Sequence, residues 1–277
     1  MNNKPNDHFK LKLLSLAVLA GFSVAAPEIW SEGLEESADC QQIEPANLPV
    51  LPKALGDELE IVSWNIQKTS NLKWRQDLNM LSTSASLVFI QEAVLQADIA
   101  DSIPENLHRE FAPGYRRGKL QTGVMTFSAS SPTLACDLSI NEPWLRTPKA
   151  TSIVQYRLTG RDENLLVVNL HAVNFTLGLK SYRKQFSALD EYLEEHPGPV
   201  ILAGDLNTWS NKRQQWVNDF MVRHGMSSIS FEPDYRSKVF GKALDHIYVR
   251  GLKAQSAETI RVDSSDHNPL KVRLRLI

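Results

Sequence analysis

The stretch "VILAGDLN", residues 200–207, decides how the rest of the chain reads. It is an apolar run of strand length that stops at a glycine and hands over to an acid and an amide, Asp205 and Asn207. An Asx-type turn closing after Gly204 would account for both residues. The alternative is that the strand end serves as a rigid platform for polar groups that act together.

Working outward, the same layout recurs. "VSWNI" ends a run at Asn65, "VFIQEA" at Glu92 and "VNLHAVN" at His171, while "LDHIYV" sets Asp245 at the front of a further strand. The closing "SSDHNPLKVRLRLI" places Asp266 and His267 in a Ser/Asn/Pro turn before a last strand. Each residue alone has a plain explanation: a turn amide, a loop acid, a hydrogen-bonded core histidine, a turn cap. Their accumulation at strand ends is harder to assign to turns one at a time.

Between these runs, further strands are expected at "TGVMTFS" and "TSIVQYRL". Helical spacing appears at Trp74, Leu78 and Leu81, at Tyr182, Phe186, Leu189 and Leu193, and at Trp216, Phe220 and Met221, closed by Gly225. Many strands with a few interspersed helices predict an α/β layered domain over residues 58–277. Residues 27–57 show no sustained period and read as a linker or N-terminal arm. The composition, 42% hydrophobic with a net charge of −2 over 277 residues, supports a sizeable core and supplies no global positive field for nucleic acid or membrane.

The chemistry these groups suit is phosphate ester hydrolysis. A hard dication prefers carboxylate and amide oxygens, which Asn65, Glu92 and Asp266 offer. An attacking water needs a carboxylate or imidazole to orient it and take its proton; Asp205 with Asn207, or His267 held by Asp245, could serve. His171 could donate to the anionic phosphorus centre.

The ordered set "WNI", "QE", "NLHAVN", "GDLN", "LDHIYV" and "SDHNP" resembles the endonuclease/exonuclease/phosphatase superfamily, the fold of DNase I, across residues 60–274. "HAVNFTLG" and "ILAGDLNTWSNKR" resemble its YafD-like branch more specifically. The resemblance implies a four-layer α/β/β/α sandwich of two mixed β-sheets flanked by helices, with one active site at the upper rim. It implies Glu92 as principal ligand of Mg²⁺ or Mn²⁺, with Asn65 and Asp266 beside it. Asp205 and Asn207 would position water and phosphate, Asp245 would orient His267, and His171 and Asn174 of "NLHAVN" would face the substrate. A nuclease is the leading expectation. A phosphodiesterase or phosphatase on phospholipid or small phosphorylated molecules, and a binding protein without catalysis, are the alternatives. "IQK" after Asn65 departs from the "VNG" of abasic-site endonucleases, and no exposed aromatic hairpin is legible.

Two basic loops, "GYRRGK" with Arg116 and "WLRTPK" with Arg146 and Lys149, carry an aromatic neighbour each. One of them is expected to hold phosphates flanking the cut, the alternative being a solvated surface. Lys4, Lys10 and Lys12 ahead of "LLSLAVLAGFSVAA" make residues 1–26 a signal peptide or membrane-targeting segment. Export to the periplasm or beyond is expected, with an inner-membrane anchor or a cytoplasmic protein as alternatives. Cys40 and Cys136 could pair after export or stay unrelated thiols.

Overall fold

The structure is a computed structural model that describes residues 36–43, 53–143, 145, 147–176 and 178–277. Residues 1–26, expected from the sequence to be a targeting segment, most of residues 27–57 and Arg146 lie outside the described residues.

Two sheets face each other. The six-stranded sheet runs β14 (Leu252–Thr259), β15 (Leu270–Leu276), β2 (Glu58–Asn65), β3 (Leu87–Val94), β5 (Leu120–Ser128) and β4 (His108–Arg117). The seven-stranded sheet runs β1 (Glu36–Gln42), β6 (Pro132–Asn141), β7 (Pro148–Arg157), β8 (Asn164–His171), β9 (Val200–Asp205), β13 (Asp245–Arg250) and β10 (Ser227–Ser228). Each sheet is mixed: β2 pairs parallel with β3, β8 parallel with β9, and the other pairings are antiparallel. A separate hairpin joins β11 (Lys238–Val239) to β12 (Lys242–Ala243).

The strand alternation divides side chains between three apolar layers. Ile61, Phe89, Val167, Ile201 and Ile247 meet between the sheets. The opposite face of the first sheet, with Val62, Val88 and Ile90, packs on α1 (Trp74–Ser82) through Trp74, Leu78 and Leu81. The opposite face of the second, with Leu166, Val168 and Leu202, packs on α2 (Lys180–Ser187), α3 (Asp190–Glu195) and α4 (Asn211–Arg223). Tyr182, Phe186, Trp216 and Phe220 make a run of tilted and edge-on ring contacts there. The helical spacing read from the sequence therefore corresponds to real core faces, and the result is the four-layer sandwich.

The arm differs from the sequence reading. Residues 36–42 form an edge strand, with Cys40 directly opposite Cys136 in the β1–β6 register and a disulfide joining them. The segment carries no apolar period because Ala38–Gln42 stay exposed, so backbone pairing and the cross-link hold it in place of a buried face. Likewise "GYRRGK" is no free loop: Arg116 and Arg117 end β4, and the turn leads straight into β5.

One buried polar group ties the sheets beneath the rim. The Asn169 amide donates to the Met125 carbonyl and to Thr126 Oγ1 at 3.0 and 3.1 Å, and its oxygen accepts from Gln91 Nε2 at 2.8 Å. Satisfied on several sides, such a group fixes the sheets' relative register.

Candidate active site

Strand register brings the first three groups together. β8, β9 and β13 are adjacent, with His171 paired to Asp205 and Asp205 to Asp245. Gly204 makes this possible. Its φ of +147° and the Leu170 carbonyl oxygen, 1.9 Å from where a Cβ would stand, leave room for glycine alone. Beyond it Asp205 Oδ1 accepts from the Asn207 backbone N–H at 3.0 Å, and Asn207, at φ 48°, donates its amide to the Ala172 carbonyl at 2.9 Å. The Asx turn is thus real, and it builds the site.

The other sheet delivers its groups to the same rim. Asn65 ends β2 and donates to Asp205 Oδ2 at 3.1 Å, bridging the sheets. Glu92 sits where the β3–β5 register slips, with a φ of 52°. A bulge re-aims a side chain that regular alternation would send elsewhere, and the positive φ of a non-glycine residue is strain retained at the site. The terminal turn is pinned by Ser265 Oγ donating to the Asn65 carbonyl at 2.6 Å and Trp64 Nε1 donating to the His267 carbonyl at 2.8 Å.

His267 Nδ1 donates to Asp245 Oδ2 at 2.8 Å, which turns Nε2 toward Asp205 Oδ2, 3.9 Å away. Burial by itself would lower the imidazole's pKa; the Asp245 carboxylate, with Asp205 and Asp266, overrides it and raises the value to about 10. Burial, reinforced by the Asp245 charge, pushes the Asp205 carboxyl up to about 6 despite His267. His171 moves the other way. Burial, then Lys149, His267 and Lys68, hold it well below the ordinary imidazole range, and its Nε2 accepts from Lys149 Nζ at 3.0 Å. It is a neutral imidazole, 3.6 Å from Asp205 Oδ2 and 3.9 Å from Glu92 Oε1.

All of these except Asp245 line a single cleft of about 600 Å³, together with Asp266, Asn174 and Lys149. Arg116 is not among the lining residues; its neighbour Arg117, on the other face of β4, is. The oxygens of Asn65, Glu92 and Asp266 are hard donors with no thiol among them, a set that fits a Mg²⁺-class cation. Asp205, Asp245 and His267 also bring ligand atoms within 4.8 Å of one another. There the His267 Nδ1 proton is already committed to Asp245, so that trio is better suited to moving protons.

Several residues at the site escaped the sequence reading. Lys68 Nζ lies 3.6 Å from Glu92 Oε2. Glu142, buried, accepts from the Asn174 and Phe175 backbone N–H groups at 2.6 and 3.3 Å and from Thr147 at 2.7 Å. Arg213, only 1% exposed, donates to the carbonyls of Val173, Asn174 and Asn207 and lies over the rings of Tyr182 and Trp209. "SNKR" was visible, but nothing in the string says that this arginine turns inward. An exposed aromatic hairpin is present as well: Phe240 stands at the tip between β11 and β12, 85% exposed.

The chain as a whole has counterparts among known proteins. A UPF0294 protein of Vibrio vulnificus is 40% identical over 220 residues, covering 79% of this chain and 77% of its own. An endonuclease/exonuclease/phosphatase from Beutenbergia cavernae superposes with a TM-score of 0.60 at 14% identity, over 79% of this chain and 72% of the other. A mannosyl-6-phosphatase of Bacteroides thetaiotaomicron does so at 0.57 and 16%, over 78% and 99%. Residues 62–267, from the middle of β2 to the imidazole of the closing turn, match the sequence pattern of the endonuclease/exonuclease/phosphatase family. With two facing sheets, flanking helices and strand-end acids and imidazoles converging on one cleft, the chain belongs to that family and carries its hydrolase fold.

Proposed function

We propose that the protein is a divalent-cation-dependent phosphodiesterase whose leading substrate is a nucleic acid strand. The observation that carries this reading is the Asp245–His267–Asp205 relay beside Asn65, Glu92 and Asp266 at one cleft edged by Lys68 and Lys149. A bound dication would neutralise phosphate oxygens and the charge developing on them. The rest falls to side chains. Lys149 holds the phosphate; Asn207 orients the attacking water. Asp205 takes the water's proton as its oxygen bonds to phosphorus and the bond to the leaving oxygen breaks. His267, steadied by Asp245, stabilises the charge that forms, and neutral His171 is kept in place by Lys149.

Purified protein incubated with plasmid, single-stranded oligonucleotides and bis(4-nitrophenyl) phosphate, in Mg²⁺ or Mn²⁺ and then in chelator, tests the reading. Chelator-sensitive hydrolysis that Glu92→Gln abolishes is expected. Absence of hydrolysis by the wild type, or unchanged turnover in Glu92→Gln, overturns it.

We also propose export, with residues 1–26 as the targeting segment. The Cys40–Cys136 disulfide supports it, because such bonds persist in oxidising compartments. N-terminal sequencing of protein from fractionated cells should find a start beyond the apolar run in the periplasm or medium. A start at Met1 in the cytosol counts against export.

A further inference from the structure

A second cavity, about 500 Å³, opens beside the catalytic cleft. Asn174, Phe175, Asn207, Val239 and Leu244 line both spaces, and Trp209 and Phe240 close the far side of the second. A group attached to a phosphate held in the catalytic cleft therefore has a continuous path into an aromatic slot.

The slot is built at some cost. Phe240 is 85% exposed and Phe175 59%, neither covered by the described chain. The hairpin tip takes φ values of +50° at Phe240 and +75° at Gly241, as a two-residue hairpin turn requires. Asparagine or glycine would meet that requirement without strain, so the phenylalanine is there for its ring. From below, Trp209 is immobilised: its Nε1 donates to Asn174 Oδ1 at 3.0 Å, and the Arg213 guanidinium carbon lies 4.5 Å from its ring centre. An indole N–H can only donate. It thus fixes which end of the Asn174 amide it meets, and leaves the Asn174 NH₂ without a partner among the described residues. Lys238 and Lys242 flank Phe240 on the two hairpin strands, Lys238 also pairing with Asp234.

The geometry points to this slot as the seat of an unpaired nucleobase next to the scissile phosphate, which makes the substrate a single-stranded nucleic acid; this deepens, and rests on, the phosphodiesterase reading above. Aromatic rings offer a base their π faces, the free Asn174 amide offers a donor to a ring nitrogen or carbonyl, and the lysines meet neighbouring phosphates. A hydrocarbon chain would leave that amide unanswered. A base paired within a duplex has its edge engaged and its faces stacked, and cannot enter.

The test is fluorescence anisotropy in chelator, which separates binding from cleavage. The probes are a labelled octathymidylate, a fully abasic octamer of the same charge, and an octamer duplex. Wild type should bind the octathymidylate about fivefold or more tighter than the abasic strand, the discrimination a stacked base supplies. The duplex should bind no better than the abasic strand. Phe240→Ala should bring the ratio close to one, and Phe240→Trp should restore it; the residue's exposure keeps both variants folded. A ratio unaffected by Phe240→Ala, no discrimination by the wild type, or equal binding of the duplex overturns the proposal. So does a Phe240-dependent association with phosphatidylglycerol vesicles alongside an unchanged octamer ratio, which would assign the slot to lipid. Cleavage measured in parallel in Mg²⁺ keeps the two readings apart. Hydrolysis without base dependence sinks the slot alone, and base-dependent binding without any hydrolysis sinks the phosphodiesterase alone.

Discussion

Lys68 Nζ lies 3.6 Å from Glu92 Oε2, so the carboxylate proposed to hold a dication already faces an ammonium. Lys68 belongs to a run of left-handed residues, with φ values of 47°, 52° and 57° at Gln67, Lys68 and Thr69, that carries its side chain to the cleft. An entering dication must work against this ammonium, which is 60% exposed and screened by solvent. Lys68→Met should therefore tighten Mn²⁺ binding by about threefold to fivefold, the scale of one solvent-exposed ion pair. Titration calorimetry measures this without any turnover, and weaker binding by the variant would refute it.

Asp245 fixes His267 through two oxygens, at 3.0 and 2.8 Å from Nδ1. Asp245→Asn keeps the shape but removes the charge and can present an amide N–H to the ring, favouring the wrong tautomer. We expect kcat on bis(4-nitrophenyl) phosphate to fall by about 10² to 10⁴-fold with KM little changed. Circular dichroism should match the wild type. A variant with normal kcat would remove His267 from the chemistry.

Gly204→Ala should cost about 3 kcal/mol or more, since the new methyl meets the Leu170 carbonyl and the backbone φ disfavours any side chain. Urea unfolding of the two proteins measures the difference. A loss under about 1 kcal/mol would mean that β8 and β9 can separate without cost.

Asp137 offers a pH-dependent outcome away from the cleft. Burial, then the charges of Glu110 and Asp39, raise its pKa from 3.8 to about 6, and Asp39 stands directly opposite it across β1–β6. The folded chain thus retains a proton that the unfolded chain has released, so stability falls as pH rises from about 4 to about 6 and stays lower above. Asp137→Asn removes that loss. At about pH 7.5 the variant should be more stable by on the order of 1 kcal/mol after solvent screening, and at about pH 3.5 the difference should vanish. Denaturant curves at both values decide it; an equal difference at both would mean that the carboxyl does not titrate in this window.

The strands apolar on both faces were legible: "VILAGDLN", "LVVNLH" and "LVFIQEA" overlap β9, β8 and β3. β1, β4 and β14, at sheet edges, and β6, interior but beside the β1 edge strand, were not, because half-solvated strands carry ordinary polar residues. Candidate residues could be listed because each interrupts an apolar run. Lys68, Glu142 and Arg213 interrupt nothing. Their importance lies in partners 24, 32 and 40 residues distant, such as Glu92, Asn174 and Val173, and local pattern carries no record of such pairing.

By itself, then, the sequence determined the helices and the strands apolar on both faces, where their polar ends fall and which acids and imidazoles are available, since these follow from local periodicity and residue chemistry. The tertiary structure alone decided that His171, Asp205 and Asp245 share a register, that a bulge points Glu92 into the cleft, and that Phe240, Phe175 and Trp209 make a slot beside it. Those facts depend on strand order, on a backbone φ and on loops meeting across the rim, and each is set by packing between segments that the chain's linear order leaves far apart.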